Sequence, residues 1–174
     1  MSDFAKAFVA LMANEGGLSD VSSDPGNWTG GQIGAGSLIG THWGLSAPVL
    51  VRHGVTTAEG VAAVTQDQAM QIARAEYWDA YQCDALPQGI AFEVLDAAYN
   101  GGHPGKWLQA ALGIAVDGQV GPLTVAAANA ADGDKVVMRF VASRLEYMTT
   151  CANWATAGKG WARRIAANLR RAAT

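Results

Sequence analysis

The chain has 174 residues, half of them apolar and 16% charged, with a net charge of −3. It is long enough to bury a substantial core and too apolar to remain disordered, and no apolar run reaches the roughly 18 to 20 residues that span a bilayer. A soluble molecule is therefore expected, built as one domain or as two small lobes.

The charge is unevenly distributed. Through Asp132 there are four basic and thirteen acidic residues, or −9; from Gly133 onward eight basic face two acidic, or +6. An acidic body with a basic tail suggests an anionic surface as one partner, with a solvated helix face as the bland alternative. No nucleic-acid partner is expected. Cys83 and Cys151 lack CxxC spacing, and His42, His53 and His103 lack metal-ligand spacing, so neither metal nor cofactor is expected. The thiols read as buried and free, with a single disulfide as the lesser reading. Positions 1–20 show no basic leader followed by an apolar run and a cleavage site, so synthesis in the cytoplasm without a signal peptide is expected.

In chain order, Phe4, Phe8, Leu11 and Met12 recur at helical spacing, with Ser2 as a cap and Gly16-Gly17 as a stop. The first helix should run from Asp3 to Asn14 or Glu15. Residues 18–45 are rich in Gly, Ser, Asp and Asn, which predicts loops and a small β-hairpin. Thr56 with Glu59, and Thr65 with Gln68, form capping-box patterns; the second opens a helix over Gln66 to Tyr81. A helix over Gly89 to Tyr99 should be central and closed by Gly101-Gly102. Short helices follow over Lys106 to Leu112 and Leu123 to Ala131, separated by a turn over Val116 to Pro122. A long helix over Asp134 to Trp154 carries Val137, Val141, Leu145, Met148 and Ala152. The last helix sets Trp161, Ile165 and Leu169 against arginines. The fold class is mainly α, divided provisionally into lobes 1–88 and 89–174 that can share one core.

Glu15 falls on the same helical face as Phe4, Phe8 and Leu11, at the rim of the apolar stripe and at the helix C-terminus. Desolvation and the unpaired carbonyls both disfavour its charge, raising its pKa. A carboxyl kept protonated near neutral pH suits glycoside hydrolysis, in which the leaving oxygen must receive a proton. The competing reading is a glutamate pointing into solvent past the last turn. Its neighbours shift the balance: Glu15-Gly16-Gly17 is followed by Asp24-Pro25-Gly26 and then by Thr41-His42-Trp43-Gly44-Leu45-Ser46.

These segments resemble glycoside hydrolase family 108, which carries Glu-Gly-Gly, Asp-Pro-Gly-Gly and Thr-Asn-aromatic-Gly-Ile-Thr in this order. The resemblance implies a lysozyme-like helical fold, Glu15 as the catalytic residue, and Asp24 and Thr41 as holders of the attacking water, as in phage-type lysozymes. Three departures stand out: Asn27 for the second glycine, His42 for asparagine, and a Gly-rich insertion from Trp28 to Gly40. Thr29, closer to Asp24 in sequence, competes with Thr41. Asp20 reads as a turn residue. The run from Gly30 to Gly40 has no Gly-Lys-Ser/Thr and is not a phosphate loop.

Asp96-Ala97-Ala98-Tyr99-Asn100-Gly101-Gly102 resembles the family's Asp-Ala-Ala-Val-Asn-Ser-Gly segment. Trp107-Leu108-Gln109, Asp117-Gly118, Gly121-Pro122-Leu123-Thr124 and Lys159-Gly160-Trp161 are similar to the predicted peptidoglycan-binding region that accompanies it. Substrate contacts are expected at Trp28, Trp43, Tyr99 and Asn100, with helix capping as the other reading of Asn100; Trp78, Trp107 and Trp161 read as core. What the resemblance implies is an N-acetylmuramidase cutting the β-1,4 bond between N-acetylmuramic acid and N-acetylglucosamine. It would act as a monomer on glycan strands, after holin-type or other release to the cell wall. A lytic transglycosylase and a non-catalytic wall-binding or secretion-assisting protein are the alternatives. Arg163, Arg164, Arg170 and Arg171 are the expected envelope contacts.

Overall fold

The computed structural model describes residues 2–13 and 17–173. Among these the helices are α1 (Phe4–Met12), α2 (Ala47–Arg52), α3 (Ala58–Ala63), α4 (Gln66–Ala73), α5 (Gln88–Tyr99), α6 (Pro104–Leu112), α7 (Pro122–Ala130), α8 (Gly133–Thr150) and α9 (Trp154–Ala172). The chain forms two compact units, one of Phe8–Ala75 and one of Met1–Ala7 with Glu76–Thr174. No helix of the described residues is long and apolar enough to cross a membrane.

In the Phe8–Ala75 unit, Phe8, Leu11, Ile39, Leu45, Leu50, Val61 and Ala69 are buried. Each large aliphatic or aromatic side chain taken fully from water contributes about 1.5–3 kcal/mol, so this small set sustains the unit despite its loops. Between α1 and α2 the expected hairpin is reduced to isolated antiparallel bridges, Ser19 with Thr41 and Trp28 with Leu38. Gly31, Gly34, Gly36 and Gly40 all take positive φ, which breaks an extended ladder at each position.

The caps differ in detail from the sequence reading. Asp3, not Ser2, caps α1, its Oδ1 accepting from Lys6 N at 3.1 Å; the Ser2 hydroxyl donates instead to the Cys83 carbonyl. Thr57, not Thr56, caps α3 by accepting from Gly60 N at 3.1 Å. The Thr65–Gln68 capping box is present in both directions, at 2.8 and 3.2 Å. The helix it opens stays α only to Ala73, then widens to a π turn over Arg74–Trp78 and tightens to a 3-10 turn over Asp79–Tyr81. On an uninterrupted α-helix Trp78 would lie opposite Ala69; the wider turn adds a residue and rotates the later face. Trp78 is thereby fully buried against Phe4, ring centroids 5.2 Å apart, while Ala80 is exposed.

In the other unit α5 is the central helix: every residue from Ile90 to Ala97 is buried, and α6 and α8 pack on it. It ends in a Schellman arrangement, with Gly102 N donating to Ala97 O at 3.0 Å, Gly101 N to Ala98 O at 3.2 Å, and Gly101 at φ +78°. Val137, Val141 and Met148 of α8 are buried as expected, but α8 stops at Thr150 and Ala152 is exposed beyond it. Cys83 is buried, Cys151 half-buried, and both are free thiols.

Candidate active site

The sequence places a glutamate, an aspartate and a threonine around a loop. Glu15 lies outside the described residues. Asp24 is exposed and caps a single 3-10 turn, Pro25–Asn27, its Oδ1 accepting from Gly26 N at 2.8 Å. That bond uses one carboxylate oxygen; Oδ2 has no hydrogen-bond donor among the described residues. Thr41 is half-buried and exchanges both backbone hydrogen bonds with Ser19, at 2.9 and 2.7 Å. Its hydroxyl has no partner among the described residues. Thr29 differs: its hydroxyl accepts from Ser37 N at 2.9 Å and closes the loop between Trp28 and Leu38.

Asn27 organises this region. It is fully buried, its amide donates to the Val21 carbonyl at 3.0 Å, and its own carbonyl accepts from Ile39 N and Gly40 N at 3.1 Å each. Its backbone N–H bonds the Asp24 carbonyl at 3.2 Å. Asn27 thus ties the Asp24 turn to the residues just before Thr41, a role that sequence reading missed by treating it only as a replaced glycine. Gly40 is required next to it: at φ +89° an added Cβ would lie 2.7 Å from the Ser19 carbonyl.

Trp28 and Trp43 stand in the same loop region and both are half-buried. The Trp28 indole N–H donates to the Ser22 carbonyl at 2.9 Å, and that of Trp43 to the Val64 carbonyl at 2.8 Å. Trp43 sits in the left-handed region at φ +55°, which costs a non-glycine residue about 1 kcal/mol or more. Its ring stacks on His42 at 4.9 Å and 18°, and His42 Nδ1 lies 3.1 Å from the Val61 carbonyl. The strained indole is thus held from both sides, with its edge anchored and a ring face supported.

In the other unit, Tyr99 is buried with its ring 5.0 Å from that of Tyr77, and Asn100 caps α5 by donating to the Asp96 carbonyl at 2.8 Å. Asp96 is fully buried and receives Arg144 Nη1 at 2.5 Å, Arg164 Nε at 2.9 Å and Asn168 Nδ2 at 2.9 Å. Burial alone would raise its pKa, but the two guanidiniums and their hydrogen bonds outweigh it and hold the carboxyl below the usual carboxylate range. Glu93, one turn earlier, is pushed up to about 7 by burial and by the Asp96 charge, with Arg144 only partly offsetting this.

Two expectations for α9 are corrected here. Leu169 is 40% exposed, and the inward face continues from Trp161 and Ile165 through Asn168. Arg164 turns inward to Asp96, and Arg171 lies over the Phe92 ring at 4.4 Å, so neither belongs to a simple solvent face. The signal for this network was present: Glu93 and Asp96 lie on an otherwise apolar helix, and Arg144 falls on the α8 stripe between Val141 and Met148. Buried acids require buried cations.

Residues 8–102 match the Glycosyl hydrolase 108 family, and residues 103–166 match the family described as Predicted Peptidoglycan domain. Among solved structures the chain is similar to SagA of Brucella abortus. The two are 32% identical with a TM-score of 0.82, over 97% of this chain and 92% of that one. A comparison with curated protein sequences found no match. The fold is the mainly α, lysozyme-like one expected from the sequence.

Proposed function

We infer, because this chain belongs to the glycosyl hydrolase 108 family, that it is an N-acetylmuramidase in which Glu15 is the general acid. At the coarser level it is a glycoside hydrolase of peptidoglycan. The bond proposed is the β-1,4 link from N-acetylmuramic acid to N-acetylglucosamine. Glu15 gives its proton to the departing glycosidic oxygen while water attacks the sugar carbon. The Asp24 carboxylate accepts the proton from that water, and the Thr41 hydroxyl orients it.

The observation that carries this reading is that Asp24 keeps one carboxylate oxygen without a donor and Thr41 keeps a hydroxyl without a partner. Both lie on loops tied together through Asn27. Such groups are available to water, whereas the Thr29 hydroxyl already bonds Ser37. Trp28 and Trp43 offer indole faces for sugar rings. On α9, Arg163 and Arg170 are exposed and supply the proposed contact with anionic envelope.

Product analysis of digested peptidoglycan tests the reaction. Hydrolysis adds one water per cut and leaves reducing N-acetylmuramic acid ends. Anhydro-muramic ends would mean that the sugar's own 6-hydroxyl, not a held water, is the nucleophile, and would contradict the roles given to Asp24 and Thr41.

A further inference from the structure

An opening lies wholly within the unit of Met1–Ala7 and Glu76–Thr174. It is a pocket of about 160 Å³ where the end of α5, the first turns of α6, the C-terminal half of α8 and the start of α9 converge. Buried Ala97, Trp107, Arg144 and Met148 contribute to its walls, together with exposed Asn100, Tyr147 and Asn153 and half-buried Cys151 and Trp161. The aromatic wall is ordered: Trp107 and Tyr147 rings are 5.4 Å apart, His103 packs edge-on to both, and Trp161 lies 6.1 Å from Trp154. Gly102 makes room for it, since a Cβ there would meet the Trp107 ring at 2.6 Å.

The chemistry of the lining selects its occupant. Arg144, the cation in the wall, is already bound to Asp96 and lies 3.9 Å from Glu93, so the pocket offers no uncommitted charge for a carboxylate or phosphate. What it offers is apolar ring surface with amides alongside. Asn100 spends one side-chain N–H on the Asp96 carbonyl and keeps its side-chain oxygen as an acceptor; the Asn153 amide has no partner among the described residues. A neutral group with one methyl, one N–H and one carbonyl meets all of these, the methyl against indole and the polar atoms against the two asparagines.

We propose that the pocket bordered by Asn100, Trp107, Tyr147, Asn153 and Trp161 binds the acetamido group of an N-acetylated amino sugar. The occupant's identity rests on the reading that the chain acts on peptidoglycan, whose two sugars both carry that group. The volume admits one acetamido group with the adjoining sugar edge, so the pocket holds a single residue of the glycan.

Cys151 lines the pocket and reports on it, because the other thiol, Cys83, is buried and burial pushes its pKa up. Alkylation of Cys151 by iodoacetamide is followed in the full chain carrying Glu15→Gln, with N-acetylglucosamine, glucosamine or the dipeptide alanyl-isoglutamine as additives. N-acetylglucosamine is expected to slow alkylation saturably, about tenfold at ten times its dissociation constant, whereas glucosamine and the dipeptide leave it unchanged. Trp161→Ala and Asn100→Ala should each weaken that protection, the second serving if the first fails to fold. Absence of protection by N-acetylglucosamine, equal protection by glucosamine, protection by the dipeptide alone, or full protection surviving in both variants would overturn the proposal. Cleavage of peptidoglycan by the unmodified chain with no such protection refutes the pocket alone; protection without cleavage supports the pocket and refutes the enzyme reading.

Discussion

The Thr41 and Thr29 hydroxyls separate two roles that their positions in the sequence leave tangled. Both threonines follow Asp24, and proximity favours Thr29. The proposed mechanism takes Thr41 instead, because the Thr29 oxygen is spent on Ser37 N while the bridge to Ser19 leaves the Thr41 side chain unengaged. Thr41→Val should therefore lower turnover by about a hundredfold with an unchanged melting temperature, the effect of misplacing a reacting water. Thr29→Val should cost about 1 kcal/mol of stability and leave turnover near normal. Steady-state kinetics and thermal melts of the two variants check this contrast; the opposite pattern exchanges their roles. Motif order made Asp24 and Thr41 legible as candidates. The part played by Asn27 was not, because a buried asparagine that joins two loop segments through its backbone carbonyl leaves no periodic trace.

At the scale of elements, α5, α8 and α9 meet around charges that ordinary patterning hides. Apolar spacing located α5 and α8 well, since hydrophobic faces repeat with the helical period. It misassigned α9 because Asn168 and Arg164 point inward to acids on a helix far away in sequence, and local spacing carries no information about them. Removing one partner would leave a buried charge uncompensated, a loss of about 3–5 kcal/mol. The two acids pull stability in opposite directions with pH. Glu93 binds its proton more tightly in the fold, so its contribution is fully present below pH 4.5 and is lost as pH rises through about 7. Asp96 binds its proton less tightly in the fold, so its contribution is present above the ordinary aspartate range and lost as pH falls below it. Urea unfolding at pH 5, 6 and 7 should thus show stability falling by up to about 1.4 kcal/mol per pH unit, with Glu93→Gln flattening the slope. An identical slope in that variant would mean that another group titrates.

Across the whole molecule, motif order pointed to a peptidoglycan hydrolase and charge asymmetry to a basic end, and the family match supports the hydrolase. Arg163 and Arg170 remain exposed on α9, whereas Arg164 and Arg171 have intramolecular partners. Binding of the full chain to anionic envelope fragments is expected to weaken with salt, and Arg163→Ala with Arg170→Ala to weaken it further without shifting the melting temperature. Salt-independent binding would assign the contact to other residues. The central claim concerns a single proton. Lysis of purified peptidoglycan by Glu15→Gln, a change that keeps shape and removes the acid, should fall by at least about a hundredfold while sedimentation with the same glycan persists. Lysis at the unmodified rate would contradict the assignment of Glu15 as the general acid.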